Sequence, residues 1–388
     1  MRILVINWQD LKHPLAGGAE VHLHEVFSRI VGKGHHVTLL CSGYEGAPGN
    51  EVIDGMQVVR YSNRSLFNYA VPKAYRQLCH SGFDVVVEDL NKIPFFTPLF
   101  VREPLLGICH HLFRTSIFHQ TNPAAAAYVY GMETLALWLY RERRMPFIVD
   151  SSSTHEDFCA HGFRSEDLAT VYLAVNHSLF RRTGVAKSDT PLIGCFGRLK
   201  RYKGVDIILR SLPSVLKEVP NLKVLVVGDG DDRSRLERLA IALKLEQVVT
   251  FTGYLPEQEM VELLQKVWFN IAASIKEGWG LIATEANACG TPVIASNVPG
   301  LRDSVRDGKT GLLYPYGDVD ALTASIVRLL RDTNLRDELG RNALAYAAEF
   351  TWDKAATGTL EVLTRVAQKG ELTEYHVHAA PLWRRLSS

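Results

Sequence analysis

Short apolar runs of β-branched character alternate along this chain with longer stretches of helical periodicity, the pattern of parallel α/β structure. In the first half the runs RILVINW, HVTLLCS, QVVRY, FDVVVED, LLGICHH, FIVDSS and TVYLAV predict strands. Between the first two lies AEVHLHEVFSRIV, whose Val21, Val26, Phe27 and Ile30 fit one helical face, with Gly32 and Gly34 supplying a stop. A second series opens at PLIGCFGR and continues through VDIILRSLPSVLKEV, LKVLVVGD, RSRLERLAIALKL, VVTFTG, EQEMVELLQKV, WFNIAAS, LIATEANAC, PVIASN and GLLYP. Three helical patterns close the chain between Val319 and about Gln368. The stretch RRTGVAKSDTP over 181–191 is polar, carries Gly and ends in Pro, so it reads as the linker between the two series. The expected fold is therefore α/β: two Rossmann-like doubly wound domains facing a central cleft.

A length of 388 residues fits two such domains, each large enough to bury its own core without disulfides or metals. Hydrophobic residues make up 47% and charged residues 22%, the balance of an ordinary globular chain. With 43 Lys and Arg against 42 Asp and Glu, the chain lacks the basic surplus of a nucleic-acid binder, so no nucleic-acid partner is expected. None of the six cysteines forms a CxxC pair, and several sit in strand-like runs, which favours buried free thiols in a reducing compartment. MRILVINWQD reads as a first strand, not a signal peptide, and no run approaches the ~20 apolar residues of a spanning helix. A cytoplasmic location is the expectation.

Ligands of open parallel sheets sit outside the carboxyl ends of strands. Four segments there can carry chemistry. Gly17 and Gly18 open the first helix, where amides can approach an anion or a sugar; the competing reading is a flexible turn. Arg198, Lys200, Arg201 and Lys203 follow LIGCF, with Arg198 and Lys203 able to converge on a diphosphate and Gly204 opening the next helix; a solvated basic loop is the alternative. Glu277-Gly278-Trp279-Gly280-Leu281 follows WFNIAAS, and Glu285 lies about one turn into the helix begun at Leu281. That carboxylate is suited to ribose hydroxyls, or else simply complements the helix dipole. His110 and His111 follow LLGIC; adjacent residues of a strand point to opposite faces, which disfavours a shared metal. The match of Gly278 to Ala283 with G-x-G-x-x-A raises an NAD-dependent dehydrogenase as an alternative, but the next strand ends in Asn297 where that fingerprint wants an acid. No G-x-S-x-G elbow or G-x-x-x-x-G-K-[ST] phosphate loop occurs.

These segments resemble glycosyltransferase family 4, retaining enzymes of the GT-B fold. EGWGLIATEANACGTPVIASNVPGLRDSVRDGKTGLL is similar to the family's E-x7-E segment and the run after it, GRLKRYKG to its basic donor-phosphate loop, and AGGAE to its N-terminal glycine loop. VVGDGDDRSRLE, FTGYLPEQEM and SSSTHEDFCAHG extend the likeness over nearly the whole chain. The resemblance implies an acceptor-side domain at 1–180, a nucleotide-sugar domain at 181–351 and a C-terminal helix at about 352–388 that packs back on the first domain. It also implies Arg198 and Lys203 on the diphosphate and Glu285 on the ribose. Glu277 would meet the sugar hydroxyls, Gly278, Trp279, Gly280 and Leu281 would lend amides, Gly17 and Gly18 would line the donor site, and His110 would be the catalytic histidine, with His111 the adjacent possibility. VYLAVNHSLF departs from the family's usual Asn-Gly-Val-Asp turn.

The family's reaction fits this inventory. Arg198, Lys203 and the helix from Leu281 can stabilise the charge that develops on a departing nucleoside diphosphate. Retaining hydrolases use paired carboxylates; Glu277 alone near the sugar favours front-face attack. No Asp-x-Asp motif follows a first-domain strand and Asp229-Gly230-Asp231 reads as a loop, so no metal and no cofactor beyond the nucleotide sugar are expected. The acceptor is a hydroxyl on a glycan, a lipid-linked saccharide or a small molecule, as in polysaccharide biosynthesis. A non-catalytic nucleotide-sugar-binding protein is the alternative of a different class. LALWLYRERRMPF, residues 135–147, reads as a core helix ending in solvated arginines, with peripheral contact to an anionic membrane as the competing expectation.

Overall fold

Continuous apolar runs such as FDVVVED have no polar face to leave in water, so both sides of their strands are covered. In the computed structural model, which describes residues 1–91 and 93–369, they form two α/β units: Met1–Leu173 with the helix that begins at Trp352, and Ala174–Thr351. The first unit runs β1 (Arg2–Ile6), α1 (Gly18–Gly32), β2 (His36–Gly43), β3 (Asn50–Ile53), β4 (Met56–Asn63), α2 (Phe67–Leu78), β5 (Val85–Leu90), β6 (Leu105–Cys109), α3 (Pro123–Glu142), β7 (Phe147–Val149), α4 (Ser152–Ala160) and β8 (Leu168–Thr170). Its sheet has the order β3-β4-β2-β1-β5-β6-β7-β8, and only β3 is antiparallel, to β4. The second unit runs β9 (Leu192–Phe196), α5 (Val205–Glu218), β10 (Lys223–Val227), α6 (Arg233–Ala242), β11 (Val249–Gly253), α7 (Glu257–Lys266), β12 (Asn270–Ala272), α8 (Leu281–Ala288), β13 (Val293–Ser296), α9 (Leu301–Ser304), β14 (Gly311–Tyr314), α10 (Val319–Arg331) and α11 (Thr333–Ala347). Its sheet order is β11-β10-β9-β12-β13-β14, all parallel.

Several expectations shift. The face of α1 centres on Leu23, Val26, Phe27 and Ile30, while Val21 is 38% exposed. β3 was not foreseen: it is a short strand with Val52 exposed, joined to β4 by Asp54 and Gly55, both at positive φ (45° and 81°). Asp-Gly is a favoured hairpin turn of that geometry. β8 ends at Thr170, so most of TVYLAV lies beyond the strand. The expected boundary at 180/181 falls inside the second unit, because Val175 and Phe180 are buried in its core with Val261, Ala283 and Val305. The supposed linker at 181–191 is likewise tied to that unit: Thr183 N donates to Gln265 Oε1 at 2.7 Å and Lys187 Nζ to Val267 O at 2.7 Å.

α12 (Trp352–Lys369) belongs to the first unit. It lies on α1 through Arg29 Nε–Asp353 Oδ1 at 3.1 Å and Lys33 Nζ–Thr357 Oγ1 at 2.7 Å. Residues 370–388, with the remainder of the expected C-terminal helix, lie outside the described residues. In α3, Ala136, Leu137, Leu139 and Tyr140 are buried while Leu135 and Trp138 are exposed. Segment 135–147 is thus core on one side and aromatic surface on the other. Among the described residues no helix is long and apolar enough to cross a membrane. All six cysteines are free thiols, and Cys41, Cys109, Cys195 and Cys289 are buried.

The loop between β1 and α1 is anchored by a buried ion pair. Arg60 Nε and Nη2 donate to Asp10 Oδ2 and Oδ1 at 2.7 and 3.1 Å, both side chains being 1% exposed. Burial raises the Asp10 carboxyl, but Arg60 and the Lys12 amide outweigh it and hold it below its usual value. Removing one member of such a pair strands the other charge. Arg60→Leu is expected to destabilise the chain by about 3–5 kcal/mol, read as a lower urea midpoint. Arg29→Ala, which breaks a pair whose Asp353 is 89% exposed, should cost less than about 1 kcal/mol.

Candidate functional site

In the first unit, strand ends gather acids around one histidine. β5 delivers Asp89, β6 is followed directly by His110, and β7 by Asp150. His110 Nδ1 lies 3.1 Å from Asp150 Oδ2, and its Nε2 lies 3.9 Å from Asp89 Oδ1. His22 of α1 stands edge-on to the His110 ring, 5.0 Å between centroids at 87°. Among the described residues neither carboxylate oxygen of Asp89 nor the Nε2 of His110 has a hydrogen-bond partner, although all three atoms are buried. Burial pulls the His110 imidazole down, but the bond to Asp150 and the charges of Asp89, Asp150 and Glu20 override it and raise it to about 9. Burial lifts the Asp89 carboxyl to about 7 against the opposing pull of His110. His22, buried and beside a cation, is held well below the ordinary histidine value. At neutral pH the cluster is therefore an imidazolium held by carboxylates beside a neutral imidazole.

In the second unit two loops interlock. Lys203 Nζ donates to Glu277 Oε1 at 2.6 Å, and Ser274 Oγ donates to the same oxygen at 2.6 Å. Ile275 N donates to Tyr202 O at 2.9 Å. Gly204, at φ +65°, opens α5, and a Cβ there would stand 2.2 Å from Ala273 O, so this approach excludes any other residue. Burial pulls the Lys203 ammonium down, but Glu277 and Tyr202 more than offset it and leave it raised. Arg198 is exposed and Lys200 pairs with Asp231 at 2.7 Å. Gly280, at φ +86°, caps α8, so Leu281 begins a helix whose first amides have no intrahelical acceptor. Glu285 sits in that helix and makes no side-chain hydrogen bond or ion pair among the described residues. Burial, with the charge of Glu257, raises it to about 7 against the pull of Lys203.

The structure thus brings Lys203, Glu277 and Ser274 into contact and sets Glu285 in their electrostatic reach. Other expectations are corrected. The amide of Gly17 is taken by Glu20 Oε2 at 2.6 Å, since Glu20 folds back over the start of α1, so Gly17 has no N–H to lend; Gly18 is exposed. The Trp279 indole is core: it is 1% exposed, donates to Thr284 Oγ1 at 2.8 Å and packs on Phe350 at 4.9 Å, so only its backbone faces the loop. His111 lies past the end of β6, where strand alternation no longer applies, and stacks on Phe113 at 4.5 Å. In the departing turn VYLAVNHSLF, Asn176 O accepts from Phe180 N at 2.8 Å and His177 Nε2 contacts Phe350 O at 3.1 Å. Sequence reasoning missed Asp89, Asp150 and His22. The two acids end the strand runs FDVVVED and FIVD, where the carboxyl-end rule points to them. Among the described residues no group of three or more His, Cys, Asp or Glu side chains is arranged to hold a metal ion.

The two parallel-sheet units have the architecture of GT-B glycosyltransferases. The chain aligns with sucrose-phosphate synthase from Thermosynechococcus elongatus at a TM-score of 0.78 and 22% identity, covering 94% of this chain and 98% of that one. It aligns with Anabaena HepE in complex with UDP at 0.75 and 21%, covering 94% and 100%. Over 385 residues it is 27% identical to an uncharacterized glycosyltransferase of Methanocaldococcus jannaschii, spanning 93% of this chain and 97% of that one. It is 36% identical over 219 residues to a D-inositol 3-phosphate glycosyltransferase of Acidothermus cellulolyticus, spanning 52% of this chain and 49%, about half, of that relative. Residues 16–179 match Glycosyltransferase Family 4 and residues 178–346 match Glycosyl transferases group 1. The chain belongs to these glycosyltransferase families and is an enzyme of that class, as the run from Glu277 to Leu313 implied. The G-x-G-x-x-A match falls inside the group 1 domain, and the dehydrogenase alternative is set aside.

The protonation of His110 is open to direct test. Its raised value means that the imidazolium stabilises the fold fully below about pH 6.5 and that this contribution is lost as pH rises through about 9. The groups facing it are Asp89, Asp150, Glu20 and His22. Nitrogen-15 NMR of the imidazole should show both ring nitrogens protonated at pH 7, and Asp150→Asn should move the titration to lower pH. A neutral ring at pH 7 in the unaltered protein contradicts this electrostatic account.

Proposed function

We propose that the chain transfers a sugar from a nucleoside-diphosphate sugar to a hydroxyl acceptor with retention of configuration, without a divalent metal ion. The observation that carries this reading is Glu285, a half-buried carboxylate with no side-chain hydrogen bond among the described residues, one turn into the helix that begins at Leu281 and within the field of Lys203. A group that costs folding energy while unpaired is a vacant acceptor, and ribose hydroxyls are donors of matching chemistry. The helix N-terminus, Arg198 and Lys203 supply positive charge for a diphosphate, which needs neutralisation more than protonation as it leaves. The Glu277 partnership fixes the Lys203 ammonium before any ligand arrives. UDP and UDP-glucose in the HepE complexes support a nucleotide donor here.

On this reading the acceptor hydroxyl attacks from the face that the diphosphate leaves and passes its proton to the departing phosphate oxygen. His110 does not serve as nucleophile or base, because an imidazolium has no free lone pair. It orients a hydroxyl of the transferred sugar through Nε2, which has no hydrogen-bond partner within the described residues. Its carbonyl already accepts Thr154 Oγ1 at 3.0 Å.

A panel of nucleotide sugars incubated with glycan, lipid-linked and small-molecule acceptors identifies the substrates. The anomeric configuration of the product, read by proton NMR, tests retention, and turnover is expected to survive excess EDTA. An inverted product or a Mn²⁺-reversible loss overturns the mechanism. His110→Ala should lower turnover about 10²-fold with far less effect on binding of the nucleoside diphosphate. Glu285→Gln should weaken that binding by about 1.5–3 kcal/mol in calorimetry. Because burial raises the Glu285 carboxyl to about 7, its penalty is absent below about pH 4.5, grows between there and 7, and is complete above 7. The same variant should therefore be more stable than the unaltered protein at pH 8.

A further inference from the structure

Strands β9 and β12 send their carboxyl ends toward Arg198, Lys203 and Glu277. Their amino ends, with that of β13, border a separate cavity of about 530 Å³ at the opposite edge of the same sheet. Ser188 precedes β9, Trp268 precedes β12, and Gly290 and Pro292 precede β13. At ~3.3 Å per residue, a five-residue strand separates the two edges by roughly 15 Å. Four cations line the cavity, Arg182, Lys187, Arg336 and Arg341, against one carboxylate, Asp337. None of the four forms an ion pair with Asp or Glu among the described residues. Lys187 Nζ is held by neutral acceptors only, Val267 O at 2.7 Å and Thr291 Oγ1 at 2.6 Å. The Arg336 guanidinium lies 4.1 Å over the Trp268 ring and donates to Leu329 O at 2.6 Å, so it is fixed in place. Cations outnumber carboxylates four to one on this lining.

We propose that this cavity binds the phosphate ester of a small metabolite, at a site distinct from the donor loops. Unpaired guanidinium groups favour a phosphate, which accepts paired N–H donors. The volume lies within the range of small-molecule pockets and exceeds what an isolated phosphate needs. Trp268 and Pro292 offer apolar wall to an organic part.

Isothermal titration of the full chain with glucose 6-phosphate, glucose and inorganic phosphate tests this. Glucose 6-phosphate should bind more tightly than inorganic phosphate, and glucose should not bind. The double substitution Arg182→Ala with Arg341→Ala should weaken glucose 6-phosphate by about tenfold or more. Both side chains are exposed, so the fold should survive their removal. Asp337→Asn should tighten binding, a gain that misfolding does not mimic. Arg198→Ala should leave the affinity unchanged. Loss of binding with Arg198→Ala but not with the double substitution would place the phosphate in the donor loops and overturn the proposal. So would equal affinity for inorganic phosphate, or no binding at millimolar concentration.

Discussion

The ion pair between Lys203 and Glu277 joins the loop after β9 to the loop after β12, and the local chemistry of the second unit depends on that junction. Neither loop could hold its shape by propensity alone, since one carries four cations in six residues and the other two glycines around a tryptophan. The junction works because the backbones touch. Gly204 leaves room for Ala273 O, Tyr202 O receives the amide of Ile275, and the Trp279 indole anchors the far side of the second loop in the core. With the main chain pinned, the Lys203 ammonium and the start of α8 are held in fixed positions, the preorganisation that electrostatic stabilisation of a leaving group requires.

Several charged or polar groups pull against the folded state. Asp89 is buried without a hydrogen bond among the described residues, and Glu285 is half-buried without a donor among them. Each would be more comfortable in water, and each departs from the rule that buried polar groups are satisfied. By contrast, Arg60 and Asp10 satisfy one another completely and serve the scaffold. Asp89 lies at the carboxyl end of β5, where ligands of parallel sheets bind.

The repeating α/β pattern was legible because buried parallel strands must be almost wholly apolar, and that is a local property. The spacing of Glu277 and Glu285 was legible because a loop followed by a helix fixes their separation. What escaped depends on contacts distant in sequence. Nothing local to Asp89 or Asp150 says that both meet the histidine after β6. Nothing local to His22 says that it meets His110, since the helical spacing gives only which face it shares. That the Trp279 indole is core depends on Phe350, from the far end of the unit, which packs on it. The linker at 181–191 looked solvated because its polar side chains bond to backbone and amide groups that only the folded sheet presents.

Near-neutral net charge is a sum, and it conceals how the charge is sorted. In the first unit acids surround His110, and their combined field raises its imidazole to about 9 against the pull of burial. In the second unit cations collect on the loop after β9 and again at the amino ends of the strands. Interactions between exposed charges more than about 10 Å apart are largely screened by salt, so each cluster acts on what binds within it. The first cluster is an imidazole among carboxylates, and the loop after β9 is a run of cations at the start of a helix.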